Sequence, residues 1–152
     1  MSAIEQEALL AGEMDYCWQA ANLLRVKPGA GVDGVIKAVR RGFTYGVVES
    51  FMTKFRVDAG YIEQAVGISR STMSRRKQSG RFTRVESDRL LRIVGLYAMA
   101  EDVIGDRDMA IDWMGTPNRA LGGETPGGYA GTEAGAREVE KLLGRLAHGV
   151  VN

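Results

Sequence analysis

Eight cations stand between Arg70 and Arg92: Arg70, Arg75, Arg76, Lys77, Arg81, Arg84, Arg89 and Arg92. They face only two carboxylates in that stretch, Glu86 and Asp88. The segment therefore holds a balance of +6 in a chain whose formal net charge is +1, and the remaining residues carry −5. A basic middle inside an acidic chain is the footprint of a segment that meets polyphosphate, since each phosphate contact by Lys or Arg releases counterions. A solvated, charged helix face is the plainer reading of the same run.

Other chemistry is poorly provided for. Cys17 is the single cysteine and His148 the single histidine, so neither a disulfide framework nor a His/Cys zinc site can be assembled. No carboxylate pair or Ser/His/Asp set stands out, and His148, near the end of the last predicted helix, is better suited to complement a helix dipole than to catalyse. A literal G-x-G-x-x-G occurs at Gly29, Gly31 and Gly34. The dinucleotide-binding mechanism behind that pattern needs a preceding buried strand and a parallel sheet. Pro28 directly before the first glycine and the helical reading of the remaining chain argue against it. The sequence calls for no cofactor and no metal.

The elements that must position the basic run read as helices. The chain has 152 residues, 45% of them hydrophobic and 26% charged, enough for a packed core. No apolar stretch is long enough for a membrane span, and the acidic residues near Met1 do not resemble a secretory signal, so a cytoplasmic protein is expected. Leu10, Met14, Cys17, Ala21 and Leu24 share one side of an N-terminal helix that Pro28 ends, and that helix is either core or a pairing surface for a second copy. Lys27 to Gly34 reads as a linker. Val35, Ile36 and Val39 mark a short helix, and Val47, Val48, Phe51 and Phe55 a second.

Asp58 is a good N-cap for a third short helix with Tyr61, Ile62, Ala65 and Val66 facing inward. Gly67 stops it, Ile68 plugs the core, and Ser69 caps a new helix with Met73 buried. This is the form of a helix-turn-helix, and Ser71, Thr72, Arg75 and Arg76 would project toward the major groove. A helical hairpin without DNA affinity has the same form. Thr83 and Glu86 make a capping box at the start of a helix expected over 84–104, broad enough in apolar surface to be a buried spine. Asp106 caps the next helix, with Ala110, Trp113 and Met114 on one face. Seven glycines from Gly115 to Gly135 mark irregular, closely approaching backbone, and Thr132 caps a last helix carrying Val139, Leu142, Leu143, Leu146 and Val150.

The run ISRSTMSRR at Ile68 to Arg76, then ESDRLLRI at Glu86 to Ile93, AMAEDVIGD at Ala98 to Asp106, AIDWMGTPNRALGGETP at Ala110 to Pro126 and TEAGAREVEKLLGRLAHGV at Thr132 to Val150 resembles the Xre/MbcA/ParS-type antitoxins. The most distinctive part is carried by Trp113, Thr116, Pro117, Asn118, Ala120, Leu121, Gly122 and Gly123. The resemblance implies an all-α, non-enzymatic protein whose central part binds operator DNA. Its C-terminal part would bind and inhibit a RES-type, NAD-degrading toxin, and dimers or higher homo-oligomers would repress their own operon. Three regions follow: an N-terminal helix and linker over 1–33, a helix-turn-helix region over 34–83 and a toxin-binding region over 84–152.

The resemblance, taken with the basic run, places DNA contacts on Arg70, Ser71, Thr72, Ser74, Arg75, Arg76, Lys77 and Arg81. It places toxin contacts on Trp113, Thr116, Asn118, Leu121, Gly122, His148, Gly149, Val150, Val151 and Asn152. The residues themselves leave alternatives: Trp113 and Leu121 suit a core, and Asn118 suits a turn or cap. Departures from the relatives are the stretch Gly127 to Gly131, where a short apolar helix is more usual, and the tail ending Val150, Val151, Asn152. A stand-alone helix-turn-helix transcriptional regulator is the competing reading, to be separated by whether a neighbouring reading frame encodes a small NAD-consuming toxin.

Overall fold

A computed structural model describes residues 16–27 and 29–149. Leu10, Met14, Pro28, Val150, Val151 and Asn152, named above, lie outside the described residues. The order of helices is α1 (Tyr16–Leu23), α2 (Gly31–Arg41), α3 (Tyr45–Phe55), α4 (Ala59–Val66), α5 (Arg70–Ser79), α6 (Arg84–Ile104), α7 (Arg107–Met114), α8 (Pro126–Tyr129) and α9 (Glu133–Ala147), with a 3₁₀ turn at Arg119–Leu121. No strand occurs among the described residues, so the G-x-G-x-x-G glycines lack the sheet a dinucleotide site requires.

Capping explains most of the boundaries. The side chains of Asp58, Ser69, Asp106 and Thr132 each accept the backbone N–H three residues on. Thr83 and Glu86 form the full reciprocal box. Each satisfies a helix-start donor that would otherwise be orphaned. Gly67, with φ 77°, takes the left-handed turn between α4 and α5 that a side chain would resist.

Helix α6 is the spine. Leu90, Ile93, Val94, Leu96, Met99 and Ala100 are fully buried on it, because α1, α2, α3, α4, α7 and α9 all pack against it. Helix α1 lies along α6 with Ala20 and Leu24 buried, which makes the described part of the N-terminal helix core. Phe51 and Phe55 of α3 meet Tyr97 of α6 edge-on, each with ring centroids 5.4 Å apart, and Tyr61 of α4 meets the same ring at 6.0 Å. These are the preferred geometries of aromatic rings, negative face to positive edge.

Three local expectations are corrected. The segment Lys27 to Gly34 is not all linker, because α2 begins at Gly31; Gly34 fits inside the helix where a Cβ would fall 2.2 Å from that of Ala30. Ile36 and Leu146 are exposed rather than core. The glycine-rich stretch after Thr125 includes one helical turn, α8, started by Thr125 accepting from the Gly128 N–H and by Pro126 in its first turn.

Candidate functional site

Helix α5 presents its polar side outward. Met73 is its buried anchor, and Arg70, Ser71, Ser74, Arg75 and Lys77 are exposed. Ser69 Oγ contacts both Ser71 Oγ and Thr72 Oγ1 at 3.0 Å, and the Arg75 guanidinium donates to Thr72 Oγ1 at 3.0 Å. Thr72 thus sets the direction of Arg75 along the helix. A row of hydroxyls and guanidinium groups on one exposed helix face is the chemistry that meets phosphates and base edges in a major groove.

Four further cations of the basic run bond to groups within the protein, and Arg84, at the start of α6, is exposed. Arg76 donates from Nε and Nη2 to the two oxygens of Glu86 at 2.7 and 2.9 Å, a fork that ties α5 to the start of α6. Arg81 donates to the Gly42 carbonyl at 2.6 Å and Arg89 to the Val66 carbonyl at 2.6 Å. Arg92 is buried against Glu133 at 3.0 Å. The structure therefore gives Arg76 and Arg81 internal partners, while Arg70, Arg75 and Lys77 are exposed and pair with no carboxylate among the described residues.

The Arg76 hydrogen bonds hold the Glu86 carboxyl below the ordinary carboxylate range, against the opposing effect of burial. A depressed folded pKa gives stability that is present above the ordinary value of 4.5 and lost as pH falls through the folded value. Glu86→Gln is expected to cost about 1–3 kcal/mol near neutral pH, about 3–9 °C in melting temperature. Its melting temperature should also fall less than that of the parent between about pH 7 and about pH 3. Thermal melts across that range check both; an identical acid dependence would remove the bridge from the stability account.

Beyond α6 the chain builds a second face. Asn118 Oδ1 accepts the Ala120 N–H at 3.0 Å, and its backbone N–H donates to the Glu124 carbonyl at 3.0 Å. The loop closes through Gly122 and Gly123, both at positive φ, 66° and 88°, where residues with a Cβ are strained. Leu121 is buried and Trp113 half-buried against the core; Thr116, Gly122, His148 and Gly149 are exposed. The string from Trp113 to Gly123 thus runs from the end of α7 into a loop closed between Asn118 and Glu124, with Trp113 and Leu121 as apolar plugs beside an exposed rim.

Two exposed apolar side chains stand out in this half: Met109, 60% exposed, and Leu146, 37% exposed. Met109 escapes a reading that follows only the core-facing positions Ala110 and Met114. The signal is present in the spacing, since Met109 stands one helical turn before Trp113, the neighbouring i, i+4 position on α7. The two halves are stitched by Tyr61, whose hydroxyl donates to the Gly127 carbonyl at 2.8 Å. Burial pushes the Tyr61 and Tyr97 phenols up, so both stay neutral.

Fold and geometry define a helix-turn-helix protein with an appended helical domain built on the second half of the same long helix. Residues 34–95 match the model of the antitoxin Xre-like helix-turn-helix domain, and residues 99–149 match the antitoxin Xre/MbcA/ParS C-terminal toxin-binding domain. A protein named Antitoxin Xre from Yersinia enterocolitica serotype O:8 / biotype 1B is 41% identical over 118 residues, 76% of this chain and 80% of that protein. An Antitoxin Xre from Photorhabdus laumondii subsp. laumondii is 36% identical over 116 residues, 75% of this chain and 78% of the relative. Another, from Pseudomonas putida, is 36% identical over 80 residues, 53% of this chain and 50% of the relative. The chain belongs to the Xre antitoxin family. This is a family of DNA-binding and toxin-binding proteins, not of enzymes. No helix among the described residues is long and apolar enough to cross a membrane.

Proposed function

We propose that this chain is the cytoplasmic antitoxin of a RES-type, NAD-degrading toxin, and that as a homodimer or higher homo-oligomer it also binds operator DNA to repress its own operon. The observation that carries the reading is the division of the surface: an exposed cationic face with hydrogen-bonded hydroxyls at Ser69, Ser71 and Thr72 on α5, and, among the described residues of the toxin-binding domain, large exposed apolar side chains at Met109 on α7 and Leu146 at the end of α9. Arg70, Ser71, Ser74, Arg75 and Lys77 make the DNA contacts in this reading. Thr72 and Arg76 hold Arg75 and the helix itself in place, and Arg81 holds the loop before α3. Met109 and the exposed edge of Trp113 anchor the toxin, Thr116, Asn118, Leu121 and Gly122 shape the neighbouring rim, and the tail from His148 through Gly149, Val150, Val151 and Asn152 reaches the toxin's active-site entrance.

Co-expression with the product of the neighbouring gene, followed by co-purification and measurement of cellular NAD, tests the reading. A stable complex that restores NAD supports it, and neither complex nor NAD effect would favour a stand-alone regulator. Within the complex, Met109→Asp places a charge in an apolar contact and is expected to weaken toxin binding by about 10- to 100-fold. Removal of residues from Gly149 onward should weaken inhibition more than capture. Unchanged titration curves for both variants would move the toxin contact elsewhere on the domain.

A further inference from the structure

A groove of about 700 Å³ lies between the segment after α1, one side of α2 along its length and the start of α3. Its floor is apolar, with Ala38, Phe43 and Val47, and its rim carries Arg25, Lys27, Lys37, Arg41 and Arg81. The one carboxylate on the rim is Asp33, and it pairs with Lys37 at 2.8 Å. Arg25, Lys27 and Arg41 are exposed, and no carboxylate among the described residues bonds to them. Arg25 and Lys27 also precede the residues that match the helix-turn-helix family model, which begin at 34.

The groove begins where the recognition helix ends. Gly80, the C-cap of α5, accepts the Tyr45 N–H at 2.9 Å. Arg81, the next residue, bridges to Thr44 and donates to the Gly42 carbonyl. The side of the rim at Gly42 to Tyr45 is therefore joined directly to the end of the element that carries Arg70 and Arg75. A small anion is bound by buried donors that converge on one point. Here the cations are several, exposed, and come from separate segments around the groove, which suits a backbone of repeated charges better than a single small anion.

We propose that Arg25, Lys27 and Arg41 form a second phosphate-binding edge for double-stranded DNA, lengthening the contact beyond the base pairs that α5 reads. The proposal rests on the DNA-binding reading given above. Its role is positioning and affinity rather than sequence readout, because phosphate contacts carry no base information.

The test uses the full-length chain, the triple variant Arg25→Ala, Lys27→Ala, Arg41→Ala, and duplexes from immediately upstream of the coding sequence, with flanks intact or trimmed. Affinity is measured between about 50 and 200 mM salt. For the intact duplex the variant should show a slope of log affinity against log salt shallower by about 2 to 3, since each phosphate contact contributes about 0.9. Trimming the flank should reproduce that loss in the parent protein and add nothing to the variant. Toxin capture and circular dichroism, unchanged in the variant, establish that it is folded. A parent protein that binds with an unchanged slope in the variant overturns the second edge while leaving DNA binding by α5 intact. A parent protein that binds no upstream duplex overturns the DNA reading itself. Saturable competition by inorganic phosphate at constant ionic strength, lost in the variant, would show a small-anion site in place of a DNA edge.

Discussion

Replacing Arg70 and Arg75 together with alanine is expected to weaken operator binding by about 100-fold and to leave the toxin complex as tight as before. Both guanidinium groups stand on the exposed side of α5, and neither forms an ion pair with a carboxylate among the described residues. Their removal therefore takes away interactions with DNA without orphaning a buried partner. An arginine that reaches a base edge contributes about 1–3 kcal/mol, and one that instead neutralises a phosphate flattens the salt dependence by about 1 when it is removed. Arg76→Ala is the contrasting variant. It strands the Glu86 carboxylate, of which only 9% of the side chain is exposed, so it should lower the melting temperature first and DNA affinity as a consequence. Binding isotherms and melts on the two variants separate the roles. Equal loss of affinity at equal loss of stability would return Arg76 to the DNA-facing set and displace the division proposed for α5.

The division within the basic run shows where a sequence stops being legible. Caps and stops are local: Asp58, Ser69, Thr83, Asp106 and Thr132 act on donors three residues away, so residue type and position identify them. The spine at α6 is legible for a similar reason, since a broad apolar surface between Thr83 and Gly105 must be covered on several sides. The pairing of Arg76 with Glu86 crosses a turn and joins two helices, so it depends on their relative placement rather than on spacing along either one. In charge counting an arginine held by a carboxylate looks the same as one left open. The start of α2 is hidden for another reason: glycines lower helix propensity, yet Gly34 sits within the helix because packing against Ala30 leaves no room for a side chain. Met109 escapes because core-facing periodicity selects what is buried, and its side chain is one the core leaves out.

Two glycines of α9 carry the sharpest expectation for the toxin-binding half. At Gly135 a Cβ would sit 1.8 Å from the Tyr129 carbonyl oxygen and 2.9 Å from its carbon. Both are backbone atoms, which cannot swing aside. At Gly144, on the same helix, the Cβ would meet nothing within 4 Å. Gly144→Ala is therefore expected to stabilise the protein by about 0.5–1 kcal/mol through helix propensity alone. Gly135→Ala must instead push α9 away from α8. That movement loosens the burial of Ala136, Val139 and Leu143. It also draws Glu133 from Arg92, whose Nε is already buried without a hydrogen bond among the described residues. Overpacking of this kind costs about 1–3 kcal/mol, and a buried guanidinium losing its carboxylate adds more, so a fall in melting temperature of about 10 °C is expected. Toxin capture should weaken with it, because the displaced α9 belongs to the same packed half as the loop from Trp113 to Gly123. Below the melting transition, operator binding should persist, since Met73, Ile62 and Phe55 hold the recognition helix within the other half of the core. The same chemical change at two sites on one helix thus has opposite signs, and the difference is steric. Equal melting temperatures for the two variants would mean that α9 sits on α8 more loosely than the Gly135 geometry requires.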